Sequence, residues 1–114
     1  MERNMMTFNI LAKKEEGIWV AHCLELDIVA TAKTLSVLKK EIVDLIITQV
    51  DYAFSNDNLD NLYHPAPQEI WKEFYKCKRS IGKKIRMKSE FKDKSFVPPW
   101  IIANTCFAHE ETIA

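Results

Sequence analysis

From Gly17 to Ala30 the chain alternates as a strand does, with Ile18, Val20, His22, Leu24, Leu26 and Ile28 on one face and Trp19, Ala21, Cys23, Glu25 and Asp27 on the other, because successive strand side chains point to opposite sides. The first face is apolar but for His22 and needs a cover. The next segment supplies one: Leu35, Leu38, Ile42, Leu45 and Ile46 recur at three- and four-residue spacing, the stripe of an amphipathic helix. Thr34 is placed to cap that helix, and no Gly or Pro interrupts it before Phe54. A second apolar row, Val43, Ile47, Val50 and Phe54, widens the stripe beyond what one small sheet requires. The excess predicts a second buried contact, with the C-terminal half of the chain or with another copy in a homodimer.

The same reading extends to both sides. Thr7 to Lys13 forms a first strand, and Lys13-Lys14-Glu15-Glu16-Gly17 a polar hairpin loop. The second strand ends near Asp27 and a short third runs from Ile28 to Lys33, giving a three-stranded antiparallel meander. Ser55 to Asn61 is the clearest break, rich in side chains that satisfy turn backbones. A second helix is expected from Pro67 to Lys78, with Ile70, Trp71, Phe74, Tyr75 and Cys77 crowded on one side. Gly82 ends that segment. A strand with one wet face is expected over residues 84–91, then a turn, Pro98-Pro99, and a strand from Trp100 to Phe107 that is apolar on both sides. The predicted fold is therefore α+β: a meander packed by a long helix and extended by a second helix and a C-terminal β-hairpin. Its core is expected to contain Phe8, Ile10, Val20, Leu24, Leu26, Leu38, Ile42, Leu45 and Ile46.

Composition changes this picture little. At 114 residues the chain has the length of one domain, read as a recognisable core over residues 1–55 and an extension over 61–114. Net charge is zero, yet residues 1–60 carry 6 Lys/Arg against 10 Asp/Glu, and residues 61–114 carry 10 against 6. The halves suit attraction to each other, to another subunit or, through the basic half, to nucleic acid. Cys23, Cys77 and Cys106 are widely spaced, odd in number and match no metal-ligand pattern, which predicts reduced thiols in a cytoplasmic protein. No leader or bilayer-spanning apolar run is read, so no membrane contact is expected.

The string GIWVAHCLELDIVATAKTL, preceded by TFNILAKKE, resembles the N-terminal domain of HicB-like antitoxins over about residues 5–55. That family typically shows an aromatic-plus-valine strand, an Ala-His-Cys step, Glu-Leu and a turn opening a helix; the usual turn glycine is Ala32 here. The resemblance implies a degenerate ribonuclease H-like fold without an active site. It also implies a protein-binding role, with a small ribonuclease toxin of the HicA type as partner. Family members often add a ribbon-helix-helix or helix-turn-helix DNA-binding domain, and the second half of this chain supplies neither pattern. A stand-alone relative with another partner fits the sequence equally.

Three sets of residues carry candidate chemistry. Glu25 with Asp27, and Asp44 with Asp51, are carboxylates of the kind a magnesium-dependent nuclease needs; the alternatives are a strand motif and a solvated helix face. His22 beside Cys23 suggests a thiol or zinc site, but strand neighbours point apart, which favours a hydrogen-bonded histidine and an inert cysteine. Lys76, Lys78, Arg79, Lys83, Lys84, Arg86 and Lys88 form a basic tract with no acid between residues 74 and 89, suited to phosphate contact beside Trp71 and Tyr75, or to an exposed helix end. No catalytic residue, cofactor or metal is assigned. The expected function is a non-catalytic HicB-like interaction module, with a nucleic-acid-binding protein and a ribonuclease H-related nuclease as alternatives. The expected partner surface is the strand face carrying Trp19, Ala21 and Cys23, since tryptophan is a favoured interface anchor and that face is read as free of the helix.

Overall fold

The computed structural model describes residues 5–56, 58–77, 80–86 and 100–107. The elements run β1 (Met5–Glu15), β2 (Ile18–Cys23), β3 (Ile28–Ala32), α1 (Leu35–Ser55), a 3-10 turn (Leu59–Asn61), α2 (Gln68–Tyr75), β4 (Ser80–Arg86) and β5 (Trp100–Phe107). The fold is α+β. Among the described residues five strands form one mixed sheet in the order β3-β2-β1-β5-β4. β1 pairs antiparallel with β2 and parallel with β5, whereas β2–β3 and β4–β5 are antiparallel.

Local chemistry accounts for the boundaries. β1 and β2 are joined by Glu16 and Gly17 alone, both at positive φ (52° and 81°), a two-residue turn whose twist matches the strands it links. The strand therefore absorbs Lys13 to Glu15, which the sequence reading placed in the loop. β2 stops at Cys23, four residues before the expected end, because Leu24 to Asp27 form a turn with Asp27 at φ 55°. The Thr34 side chain accepts a hydrogen bond from the Val37 N–H at 3.2 Å and caps α1. β4 begins at Ser80, ahead of the expected residue 84; residues 87–91 of the expected strand lie outside the described residues.

The two helices lie on opposite faces of the sheet. Phe8, Ile10 and Ala12 of β1 pack in one core with Leu38, Ile42, Ile46 and Val50 of α1. Leu11, between them, enters a second core with Leu24, Ala66, Cys106 and Phe74 of α2. The Lys13 ammonium ties β1 to α2 through Glu73 at 3.0 Å. Burial works against that ammonium, but Glu73 and Glu15 outweigh it and hold its pKa above the ordinary lysine value.

This arrangement corrects the assignment of faces. Ala21 and Cys23 are 1% and 0% exposed beneath α1, with Trp19 packed against the same core, while Val20 and His22 lie on the α2 side. Small residues sit under the helix because they let its backbone approach the sheet. Val20 and Leu45 consequently leave the expected core, Leu45 at 36% exposure. The second row of α1 is also accounted for within the chain: Val43, Ile47 and Phe54 pack against the first core together with Phe107 of β5. A sheet wider than three strands uses the width that had argued for a dimer.

The cysteine expectation is corrected as well. Cys77, just past α2, is joined to Cys106 of β5 in a disulfide with Cα atoms 6.1 Å apart, and Cys23 alone is free. An odd count is no obstacle when the third cysteine is buried. The inference from cysteine number to a reducing compartment falls with it. Among the described residues no helix is long and apolar enough to cross a membrane.

Candidate functional site

The residues with chemical potential gather where β2 turns into β3. In the register of the β1–β2 ladder Asn9 faces Leu24, and the Leu24 N–H duly donates to the Asn9 carbonyl at 2.9 Å. The reciprocal bond is replaced. The Asn9 N–H donates to Glu25 Oε1 at 2.7 Å, and the Leu24 carbonyl instead accepts from the Ala66 N–H at 2.7 Å. Glu25 Oε2 takes a second bond from Asn9 Nδ2 at 2.7 Å, and Asn9 Oδ1 accepts from Asn104 Nδ2 at 3.1 Å. Glu25 Oε1 thus stands in for a strand's missing acceptor, while Oε2 holds the Asn9 side chain.

Asp27 is engaged next to it. Its Oδ1 lies 2.6 Å from His22 Nε2, a pair that ties the last turn residue back to β2. Cys23, on the opposite face of β2 from His22, is buried; desolvation, with a smaller push from Glu25, drives its thiol up to about 12. A thiol so placed stays protonated and unreactive at neutral pH. Tyr63 is half-exposed beside the turn, its phenol raised by partial burial and then by the neighbouring Glu25 and Cys23. The His64 N–H donates to the Glu25 carbonyl at 2.9 Å, so residues 64–66 run along the turn and lead into α2.

The other candidates are not brought here. Asp44 pairs with Lys40 on the exposed surface of α1 at 3.4 Å, and Asp51 is buried at 2% exposure where it accepts from Ser55 Oγ. Among the described residues no three His, Cys, Asp or Glu side chains converge as a metal site requires. Of the basic tract, Lys76 is the exposed C-cap of α2, and Lys83, Lys84 and Arg86 belong to β4, an outer strand of the sheet. Lys78, Arg79 and Lys88 lie outside the described residues. Of the expected partner surface, Ala21 and Cys23 are buried in the core that α1 covers, and Trp19 packs against the same core half-buried.

Sequence reasoning passed over Asn9 and Asn104, which the β1–β5 register sets directly opposite each other. Asparagine is depleted in strand interiors, and two such residues in otherwise apolar strands were the available signal. No family model, curated protein or solved structure matches this chain.

Proposed function

We propose that this chain is a non-catalytic interaction module of the HicB-like kind, acting by covering a protein partner such as a small ribonuclease toxin of the HicA type. One observation carries the reading: the groups that would perform chemistry are committed to the fold. Glu25 has both oxygens on Asn9, Asp27 is paired with His22, and the Cys23 thiol is buried. A hydrolytic site needs carboxylates free to hold a cation or a water, and Glu25 is not free. The order of strand, strand, strand and helix over residues 5–55 is also that of the module the sequence resembles.

The test is co-expression with a HicA-type toxin, together with incubation of the purified chain with RNA and magnesium. Rescue of growth, a stable complex on co-purification and intact RNA are the expected results. Magnesium-dependent cleavage abolished by Asp27→Asn would replace this reading with the nuclease one. A salt-sensitive RNA shift abolished by Lys83→Glu with Lys84→Glu, without rescue of growth, would replace it with nucleic-acid binding.

A further inference from the structure

The sheet ends in two outer strands of opposite character. β4 carries Lys83, Lys84 and Arg86, and charge along an edge discourages pairing with a second copy. β3, at the other edge, reads Ile-Val-Ala-Thr-Ala, without charge or proline. Among the described residues no strand pairs with its outer side. We propose that two copies of this chain associate through this edge, β3 against β3, antiparallel about Ala30.

Three features favour that occupant. The first is self-complementarity. With Ala30 on the two-fold axis, Val29 faces Thr31 of the other copy and Ile28 faces Ala32. Just outside the strand Asp27, whose carboxylate is held by His22, and Lys33 of the other copy come to the same end, so no like charges meet at either end of the pairing.

The second is the surface of α1 above that edge. The Lys39 ammonium sits 5.5 Å from the centre of the Phe107 ring, so the flank of α1 holding Lys39, Val43 and Ile47 looks toward β5. With about 3.6 residues per turn, Leu45 and Tyr52 lie on the other flank, over the β3 edge. They are 36% and 51% exposed, and Val29 beneath the strand is 50% exposed.

The third is spacing. α1 packs across β2 and β3, which places its axis about one strand separation, ~4.8 Å, from the proposed two-fold. Two such helices then run side by side about 10 Å apart, a helix-packing distance at which Leu45 and Tyr52 of each copy meet. One interface thus satisfies an open strand edge and covers the exposed apolar flank. It is independent of any toxin: a dimer that neutralises nothing upholds it, and a monomer that neutralises does not.

Sedimentation equilibrium of the full chain from about 1 to about 200 μM should show twice the 13.3 kDa chain mass at the upper end. Leu45→Lys with Tyr52→Lys, both exposed positions whose folding is verified by circular dichroism, should raise the dissociation constant about tenfold or more. The register is read by oxidative cross-linking. Val29→Cys chains mixed with Thr31→Cys chains should give a covalent dimer, and neither variant should do so alone. A monomer throughout, a dimer indifferent to the Leu45 and Tyr52 changes, or cross-linking by one variant alone overturns the proposal.

Discussion

Replacing Glu25 should unfold this protein before it disarms it. Its carboxylate accepts the Asn9 N–H and Asn9 Nδ2, each at 2.7 Å, and no other described group provides the ladder acceptor that Asn9 loses when the Leu24 carbonyl turns to Ala66. A net hydrogen bond to a charged group is worth roughly 1.5–3 kcal/mol, and the half-exposed site favours the lower end. Two of them make about 3 kcal/mol for Glu25→Ala. Glu25→Gln retains one oxygen but turns an amide donor toward the other Asn9 donor, and should cost about half as much. In urea, with a slope of roughly 1–1.5 kcal/mol per molar, the alanine variant should unfold about 2 M earlier. A double-mutant cycle with Asn9→Ala should show a coupling of about one bond, since that change removes Asn9 Nδ2 but leaves the residue-9 N–H on Glu25 Oε1. A loss below about 0.5 kcal/mol for both Glu25 variants would refute the structural role and return Glu25 to the list of candidate catalytic carboxylates.

Three further outcomes follow from burial and connectivity. Ile42→Ala, at 3% exposure, should cost about 2–5 kcal/mol, whereas Leu45→Ala at 36% should cost the monomer under about 1 kcal/mol; equal costs would mean that α1 is rotated on the sheet. Removing the Cys77–Cys106 bond by Cys106→Ser should lower stability by about 3.5 kcal/mol from chain entropy for a separation of 29 residues. Thiol titration of the unfolded, unreduced chain should find Cys23 alone, and three reactive thiols would contradict the pairing. The raised Cys23 pKa keeps the folded chain protonated where the unfolded chain ionises. Stability from this group is therefore intact below the ordinary value of 9.0 and lost as pH rises toward about 12. The full span is worth up to about 4 kcal/mol. Cys23→Ala should flatten that slope, and an unchanged slope would show the thiol to be solvated.

Much of the element order was legible because periodicity survives tertiary packing. The alternation at residues 18–23, the three-and-four spacing from Leu35 and the Thr34 cap all mark elements present in the fold. The facing of β2 was not legible, for a physical reason: with a helix core on each side of the sheet, apolar side chains fall on both faces of β2, so apolar content stops discriminating. Size would have done better than polarity. Ala12, Ala21, Cys23 and Ala30 lie under α1, where a long helix must come close. The site failed differently. A carboxylate that replaces a backbone acceptor and a disulfide between α2 and β5 depend on residues 16 and 29 positions apart, beyond any local pattern.

The resemblance-bearing run Cys23-Leu24-Glu25-Leu26-Asp27 acquires a physical reading from these contacts. Cys23 and Leu26 enter the core under α1, and Leu24 enters the core under α2, so three apolar side chains pin one turn to both layers. Glu25 takes over the bond that Leu24 leaves, and this substitution frees the Leu24 carbonyl to accept from Ala66. That bond anchors the segment by which the chain passes from the α1 side of the sheet to α2. Asp27, in the left-handed conformation that aspartate tolerates better than branched residues, closes the turn and holds His22. Every polar group in the run therefore has a mechanical task. A pattern that looks like a catalytic constellation in one dimension works in three as the joint between two layers, which is why the function is sought on surfaces that the joint leaves open.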